Sequence, residues 1–316
     1  MSKLPTLFAK GNLVPGMGES QDELNKWVPI EFLVNWFDQR IPKIYKQTPK
    51  INNPTISDRI IILQSGTGSS KSTGLPPTLY LRFFNRYRKS ILVTQPAVLT
   101  TIEIPKTIAS IPFYTSKNKE GLQIELYKNL GYQTGEFIRK PIEKGIVFTT
   151  VGILLQFLKV MTFEQIRKKY KFIIVDECHA RSIELDIVMS LLKKLVNDNI
   201  SEAPFCIFMS ATFNVDKYAT YFNTKTIFKV SGKSYQKIEN YLEVSSSNYI
   251  QGVLDIVKKV HNTEEIEQAD INDIVIFVSG AGAMNKLIKG LNDLNQSFDN
   301  PIIPIPLNSQ IFKSGD

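Results

Sequence analysis

Two short segments of the sequence carry residues that could handle a phosphorylated ligand. The first, SGTGSSKST, follows the apolar run RIIIL and ends in Lys71, Ser72 and Thr73 at the predicted start of a helix. Such a turn presents main-chain N–H groups to an anion, lysine could neutralise nucleotide phosphates, and the Ser72 hydroxyl could ligate Mg²⁺. The strict pattern G-x-x-x-x-G-K-[ST] fails because Ser65 and Ser70 replace glycines, so the segment alone could be an ordinary Gly/Ser turn. Its predicted phosphate cradle is Gly66, Thr67, Gly68, Ser69 and Ser70.

The second segment, KFIIVDECHAR, ends an apolar run in two adjacent carboxylates. Asp176 and Glu177 would be costly after a buried strand unless charged ligands compensated them. Asp176 could hold Mg²⁺ through water, and Glu177 could orient or deprotonate an attacking water. His179 lies where a γ-phosphate could be sensed. The alternative is a capping turn before a helix that follows Ser182.

A third apolar run, FCIFMSAT, ends in the hydroxyl-bearing residues Ser210 and Thr212. Such residues are common at strand ends, so this run is weak evidence by itself. The three segments together are stronger, because DECH lies roughly 105 residues after Lys71 and SAT roughly 34 residues further on. Each ends a predicted core strand, which predicts one site at the carboxyl edge of a parallel sheet.

Short apolar runs alternate with amphipathic stretches along most of the chain. RIIIL, SILVTQ, GIVFTT, KFIIVDE and FCIFMSAT are rich in β-branched and aromatic residues, as expected for strands covered on both faces. Helical patterns lie between them, including SIELDIVMSLLKKLVND with Ser182 as its expected N-cap. This alternation predicts an α/β fold with a doubly wound parallel sheet. An amphipathic helix over residues 27–46 is expected to pack its aromatic residues against this domain, namely Trp27, Phe32 and Trp36.

Two domains are predicted, because 316 residues are more than one ordinary hydrophobic core contains and because the strand–helix pattern starts again after residue 232. Residues 1–27 are predicted to form a loose arm, and residues 28–232 contain all three segments described above. The pattern restarts over residues 233–316 with the predicted strands QKIENYLEV and DIVIFVSG and the helical patterns NYIQGVLDIVKKVHN and AMNKLIKGLND. This second α/β unit is expected to be incomplete.

Composition narrows the class of protein. Hydrophobic residues make up 43% and charged residues 22% of the chain, as in globular proteins. No apolar run approaches the roughly 18 residues of a membrane span, and no secretory signal is recognisable. The two cysteines lie in apolar runs, which predicts buried free thiols in a reducing, cytoplasmic compartment. A net charge of +8 is compatible with a nucleic-acid partner but does not require one.

The three segments together resemble the DEAH-box helicases of superfamily 2. The family loop, close to GETGSGKST, compares with SGTGSSKST, and its DEAH-x-R compares with DECHAR. SILVTQPAVLT resembles the strand that ends in TQPRRVAA, while NLGYQTG and TTVGILL resemble two further segments that contact nucleic acid. DIVIFVSG and IPIPLNSQI are similar to ILIFLPG and LPLHS of the second family domain. TQPxVLT and an upstream VPIxxxxxW helix look closest to helicases of large cytoplasmic DNA viruses, of the African swine fever virus and giant-virus type.

The resemblance implies a RecA-like ATPase domain of the P-loop type, an incomplete second RecA-like domain, and ATP-dependent helicase activity with ATP and Mg²⁺. RNA is the implied nucleic acid, and a viral protein would be located in the virus factory or the virion. The implied catalytic residues are Glu177, Asp176 and His179. Metal binding is implied for Ser72 and Asp176, and coupling to domain closure for Ser210 and Thr212. The implied nucleic-acid contacts are Thr94, Gln133, Thr134 and Thr150.

Three departures from the family bear on activity. Ser70 replaces a glycine that commonly has a positive φ, and strain of about 1–3 kcal/mol would weaken nucleotide binding by about one to two orders of magnitude. Ala97 replaces an arginine that meets the nucleic-acid backbone. The family segment QRxGRxGR, which supplies arginine fingers, has no counterpart in the sequence.

These departures leave more than one function open. One is a weakened or partner-dependent helicase, whose remaining second-domain residues lie in a longer chain or in a second polypeptide. Another is a catalytically inactive helicase-fold protein that binds nucleic acid or acts as a scaffold. A small-molecule kinase would leave DECH and SAT unexplained.

Overall fold

The chain folds as two compact units, Met1–Tyr235 and Gln236–Asp316. The computed structural model describes residues 7–10, 28–43, 51, 53–66, 71–212, 214–231, 241, 248–261, 273–298 and 300–307. Among the helices of these residues, none is both long enough and apolar enough to cross a bilayer.

A nine-stranded sheet forms the centre of the first unit. Its strands are β1 (Leu7–Lys10), β2 (Ile60–Ser65), β3 (Ser90–Gln95), β4 (Leu130–Gln133), β5 (Ile138–Arg139), β6 (Ile146–Thr150), β7 (Tyr170–Val175), β8 (Phe205–Ser210) and β9 (Ile227–Ser231). Their spatial order is β1-β9-β2-β8-β7-β3-β6-β4-β5. Every neighbouring pair with a strand register is parallel except β4 with β5. The predicted α/β fold with a mostly parallel, doubly wound sheet is confirmed.

Helices cover both faces of this sheet. They are α1 (Val28–Asp38), α2 (Lys71–Tyr87), α3 (Val98–Ser110), α4 (Pro112–Thr115), α5 (Val151–Val160), α6 (Phe163–Lys169), α7 (Ile183–Asp198) and α8 (Val215–Phe222). One hydrophobic layer joins α1, α2 and α3 to the sheet, and the other joins α5, α7 and α8 to its opposite face. Successive residues of β2 alternate between the layers, with Ile61 in the first and Ile62 in the second. This double burial explains why the central strands are nearly continuous apolar runs.

Several elements differ from the sequence predictions. Helix α1 ends at Asp38, short of the predicted residue 46, and Trp36 packs against the first layer as expected. The adjacent Phe37 is fully buried, with its ring centroid 5.2 Å from that of Phe205. Part of the predicted loose arm, Leu7–Lys10, pairs with β9 as an edge strand. Strands β4, β5 and β9 were not predicted, because β4 and β5 are only four and two residues long and Lys229 interrupts the apolar run of β9.

Three basic residues, Arg59, Lys89 and Lys171, lie near the amino-terminal edge of the sheet, opposite the predicted site. Arg59 donates to the carbonyls of Ile200 and Ser201, at 2.7 and 2.6 Å. Lys171 Nζ lies 5.0 Å from the centroid of the Phe205 ring. Burial, together with the positive charges of Arg59 and Lys89, lowers the pKa of Lys171 to about 7. The amine of Lys171 is therefore a costly cation in the folded protein.

The second unit contains two packed helices, α9 (Tyr249–His261) and α10 (Ala281–Leu294). Leu254 of α9 packs with Leu287 and Leu291 of α10. The segment DIVIFV, residues 273–278, has no strand partner among the described residues, so the prediction of a strand there is not met. A strand requires a hydrogen-bonding neighbour, which an isolated apolar run cannot supply. The predicted strand QKIENYLEV lies almost entirely outside the described residues.

Candidate active site

The carboxyl ends of four neighbouring strands, β2, β8, β7 and β3, bring the predicted segments together. Lys71 is the first residue of α2, Asp176 follows β7, and Ser210 ends β8. Gly66 directly follows β2, whereas residues 67–70 lie outside the described residues. The phosphate cradle that includes Ser70 therefore remains a prediction.

Lys71 and Glu177 form an ion pair across this edge. Lys71 Nζ lies 3.0 Å from Glu177 Oε1, with side chains 7% and 28% exposed, respectively. A buried ammonium needs a countercharge, and Glu177 supplies one here. A bound phosphate would compete with Glu177 for the same ammonium.

Asp176 is almost completely buried, with 1% of the residue exposed. Its Oδ2 accepts hydrogen bonds from Ser72 Oγ and, at 2.9 Å, from Gln95 Nε2. Its Oδ1 accepts the Glu177 main-chain N–H at 2.8 Å. Burial raises the pKa of Asp176, while the bonds from Ser72 and Gln95 and the charge of Lys71 oppose that rise. This buried carboxylate is the kind of group that a bound cation would stabilise.

The catalytic candidates lie on a tight turn after β7. Glu177 has φ 53° and ψ 43°, a left-handed conformation that is uncommon outside glycine, and a 3₁₀ helix follows at Cys178–Ala180. His179 Nδ1 lies 3.0 Å from Ser210 Oγ and 3.2 Å from Glu177 Oε2. His179 thus connects the carboxylate of Glu177 with the end of β8.

The remaining predicted residues of the site lie around this centre. Thr73 lies in the first turn of α2 and is half-buried. The Thr212 side chain is exposed, and the Thr212 main-chain N–H donates to Ser210 Oγ at 3.3 Å. The predicted N-cap Ser182 is confirmed, since its hydroxyl accepts the Leu185 N–H of α7. The capping interpretation is thus confirmed for Ser182, while the catalytic roles of Asp176, Glu177 and His179 remain predictions.

The four predicted nucleic-acid contacts lie at the ends of β3, β4 and β6. Thr94 is fully buried and Thr134 is 1% exposed, with the Thr134 hydroxyl bonded to Phe137. Gln133 and Thr150 are half-buried. A contact from Thr94 or Thr134 to a ligand would require surrounding groups to move. Their role in nucleic-acid binding remains a prediction.

The side-chain oxygen atoms at this edge of the sheet are suitable ligands for a magnesium ion. Ser72 Oγ and Asp176 Oδ2 are within hydrogen-bond distance of each other, and both are the hard oxygen ligands that Mg²⁺ prefers. Among the described residues no group of three or more His, Cys, Asp or Glu could hold a metal. Magnesium does not need such a group, because it keeps several waters and binds through one or two protein oxygens plus substrate phosphates.

Two contacts of the site were missed from the sequence. The sequence assigns Gln95 only to the strand SILVTQ, yet its side chain hydrogen-bonds Asp176 from the neighbouring strand. Tyr218 of α8 donates its hydroxyl to the Cys178 carbonyl at 3.1 Å, which fixes the turn from outside the sheet. The end of β3 beside the end of β7 could have indicated Gln95, whereas nothing in the sequence indicates Tyr218.

Known proteins match most of the chain, although no protein-family model does. "Putative RNA Helicase B962L" of African swine fever virus is 29% identical over 320 residues, covering 96% of this chain. "ATP-dependent RNA helicase HrpA" of Borreliella burgdorferi is 31% identical over 272 residues, covering 85%. "Probable ATP-dependent RNA helicase DHX40" of Homo sapiens is 28% identical over 265 residues, covering 81%.

The chain belongs to the DEAH-type helicases of superfamily 2. The resemblance read from SGTGSSKST, DECHAR and SAT is thereby confirmed, and the sheet is that of a RecA-like domain. The matches cover 32%, 30% and 32% of the three relatives, respectively, so this DEAH-type chain spans about a third of their length.

Proposed function

We propose that this chain binds and hydrolyses ATP as the ATP-binding part of an RNA helicase. One observation carries the proposal: Lys71 and Ser72 meet Asp176 and Glu177 within bonding distance, although roughly 105 residues separate the two segments. The names of the relatives support ATP and RNA as ligands, since two of them are ATP-dependent RNA helicases by name.

Each residue of the site has a distinct task in this proposal. Lys71 binds the β- and γ-phosphates, and this binding breaks the ion pair between its ammonium and Glu177. Ser72 and Asp176 hold Mg²⁺, which when bound neutralises charge on the phosphates. Glu177, released from Lys71, orients the attacking water and accepts its proton.

His179 and Ser210 transmit the state of the nucleotide. His179 Nδ1 lies between the other two groups, 3.2 Å from Glu177 Oε2 and 3.0 Å from Ser210 Oγ. When Glu177 turns from Lys71 to a water molecule, His179 must adjust its bond to Ser210. The Thr212 N–H donates to the same hydroxyl. In this proposal a change at Ser210 therefore reaches Thr212 and, through it, domain closure.

RNA is the nucleic acid that we propose, with Gln133 and Thr150 as the contacts that are partly exposed. We also propose that the rate of the isolated chain is low, because an arginine finger can contribute about 10³–10⁵ in rate and the QRxGRxGR segment is absent from the sequence. A second polypeptide with that segment would raise the rate.

The test is MgATP hydrolysis by the purified chain, with and without single-stranded RNA. Glu177→Gln should reduce hydrolysis by about 10²-fold or more while nucleotide binding persists, because general-base catalysis contributes about 10²–10⁴. Glu164→Gln is the matched control, since it breaks a surface ion pair with Lys168. Failure to bind MgATP at millimolar concentration would refute the proposal and favour a scaffold role, as would hydrolysis that Glu177→Gln leaves unchanged.

A further inference from the structure

A bulge in β7 sets the direction of the Lys171 side chain. In the pairing of β7 with β3, the consecutive residues Ser90 and Ile91 lie opposite Tyr170 and Phe172, so Lys171 is the extra residue of β7. The extra residue of a bulge is left out of the strand pairing, and the bulge redirects its side chain. Lys171 is therefore oriented by the fold and is not simply the first polar residue of a strand.

Two other cations lie beside the Lys171 ammonium. Its Nζ is 5.0 Å from the centroid of the Phe205 ring, and the Cζ of Arg59 is 4.8 Å from the same centroid. Lys89 directly precedes β3, the strand next to β7, and its positive charge acts on Lys171 together with that of Arg59. We call Arg59, Lys89 and Lys171 the basic cluster.

Main-chain carbonyls hold two members of the basic cluster in place. Arg59, which is 4% exposed, donates from Nε and Nη2 to the carbonyls of Ile200 and Ser201, at 2.7 and 2.6 Å. Lys89 Nζ donates to the Arg167 carbonyl at 2.8 Å. These carbonyls are neutral, so they orient the two cations without cancelling their charges.

The basic cluster also keeps its charge when its acidic neighbours are considered. Among the described residues, none of its three members forms an ion pair with a carboxylate, and Lys171 Nζ has no hydrogen-bond partner. One acid and one base act on Lys89, and one of each acts on Arg59; they are Glu202, Lys144, Asp58 and Arg40. These four charges cancel in pairs. The Cys206 thiol near Arg59, with its pKa raised to about 12, is neutral at physiological pH.

A small anion can reach the basic cluster from solvent. Lys89 and Lys171 are half-buried, whereas a fully buried ammonium would be closed to any ligand. An anion there would favour the ammonium form of Lys171, whose pKa burial and the charges of Arg59 and Lys89 lower to about 7. Charge-assisted hydrogen bonds from two ammonium groups are strong where water is partly excluded.

We propose that the basic cluster binds a small tetrahedral oxyanion, either inorganic phosphate or the phosphate group of a small phosphorylated molecule. Lys171 and Lys89 donate to its oxygens, and Arg59 supplies a fixed positive charge. The cluster lies at the amino-terminal ends of the strands whose opposite ends carry Lys71 and Asp176. The proposal therefore does not depend on ATP hydrolysis.

The first test is thermal melting of the full chain in increasing phosphate, at an ionic strength kept constant with sodium chloride. At a phosphate concentration about tenfold above the dissociation constant, we expect the melting temperature of the wild type to rise by about 3–6 °C. Lys171→Met should melt higher than the wild type without phosphate, yet phosphate should raise its melting temperature by less than about 1 °C. Lys89→Met should lose at least about half of the wild-type rise.

Two control variants make the melting test specific. Lys169→Met makes the same substitution two residues away, where Lys169 Nζ lies over the rings of Phe157 and Tyr170, which belong to the opposite hydrophobic layer. Lys71→Met removes the cation that we assign to nucleotide phosphates. Both variants should keep the wild-type rise, which separates the basic cluster from general salt effects and from the nucleotide edge.

The second test uses the pH dependence of anion affinity. Sulfate replaces phosphate because it stays a dianion over the whole range, and calorimetry measures its dissociation constant. Binding requires Lys171 as an ammonium, so affinity is greatest below about pH 7 and falls above it. Between about pH 6 and about pH 8 the dissociation constant of the wild type should rise by about tenfold. Lys89→Met should bind more weakly with the same pH dependence.

Parallel titrations with phosphate and with glycerol 3-phosphate distinguish the two sources of the ligand, since tighter binding of the ester would favour a phosphorylated molecule. A wild type that phosphate does not stabilise would overturn the proposal. So would an equal rise in Lys171→Met, a rise that Lys71→Met alone abolishes, or a sulfate affinity that is constant between about pH 6 and about pH 8. The proposed function is tested separately by the dependence of hydrolysis on Glu177, so either proposal can fail without the other.

Discussion

Glu177→Gln should tighten nucleotide binding at the same time as it stops hydrolysis. In the structure Lys71 and Glu177 form an ion pair at 3.0 Å, so a phosphate must displace a carboxylate before it can reach the ammonium. Glutamine keeps the shape of glutamate and removes its charge. The variant therefore presents a lysine that is more readily available to phosphate.

The geometry of the pair sets the size of this effect. At 3.0 Å the attraction is about 1.4 kcal/mol in water and about 5.5 kcal/mol at an effective dielectric constant of about 20. Desolvation of Lys71 and the partial exposure of Glu177 offset much of the larger value. A net difference of about 1–2 kcal/mol corresponds to a nucleotide dissociation constant about 5- to 30-fold lower in the variant.

The assay is a titration with a fluorescent ATP analogue in the presence of Mg²⁺. Lys71→Met should lose measurable binding, since it removes the ammonium itself. Glu164→Gln is the matched control, because it breaks an exposed ion pair with Lys168 and should leave the dissociation constant unchanged. A Glu177→Gln variant that binds nucleotide as weakly as the wild type, or more weakly, would show that the ion pair does not compete with phosphate.

Four further variants test other parts of the structure. Lys171→Met should stabilise the protein by about 1–4 kcal/mol near neutral pH in urea unfolding. It should also remove a rise in stability of up to about 1.4 kcal/mol per pH unit between about pH 7 and 10, where the unfolded lysine binds a proton that the folded one, with its pKa of about 7, does not. Thr94→Val should raise the free energy of unfolding by about 1 kcal/mol, and the melting temperature with it, because the Thr94 hydroxyl is buried without a partner among the described residues. Ser210→Ala, which breaks the bond to His179, should lower RNA-stimulated hydrolysis by about tenfold without changing the Michaelis constant for ATP. Ser70→Gly should lower the nucleotide dissociation constant by about 10- to 100-fold if strain at that position is real, and an unchanged constant would dismiss the strain.

The central strands could be predicted because burial on both faces determines the residue types within each strand. A strand buried on both faces must be largely apolar, and the central residues of β2, β3, β6, β7 and β8 follow that rule, with polar residues towards the strand ends. The site followed from the same reasoning, since charged groups after such strands must lie at one edge of the sheet. Lys71 and Glu177 were expected near each other, and they form an ion pair.

The other parts depend on contacts that no local pattern encodes. Gln95 and Asp176 are 81 residues apart, and a glutamine at a strand end has no distinctive sequence signal. Lys171 has no distinctive sequence signal, because the residues that lower its pKa, Arg59 and Lys89, come near it only in the folded sheet. The strand predicted at residues 273–278 required a neighbour, which an apolar pattern cannot guarantee.

The turn that carries the catalytic candidates also contains one of the two cysteines of the chain. The Cys178 thiol is fully buried, lies 3.1 Å from the Val175 carbonyl, and has its pKa raised by burial, so it reacts slowly while the turn is closed. Cys206, in the middle of the sheet, has a pKa raised to about 12 and becomes accessible only when the sheet itself opens. The rate at which a thiol reagent modifies Cys178, compared with Cys206, therefore measures how often the turn opens without unfolding of the domain. Two natural thiols thus serve as a built-in probe of motion in unlabelled protein.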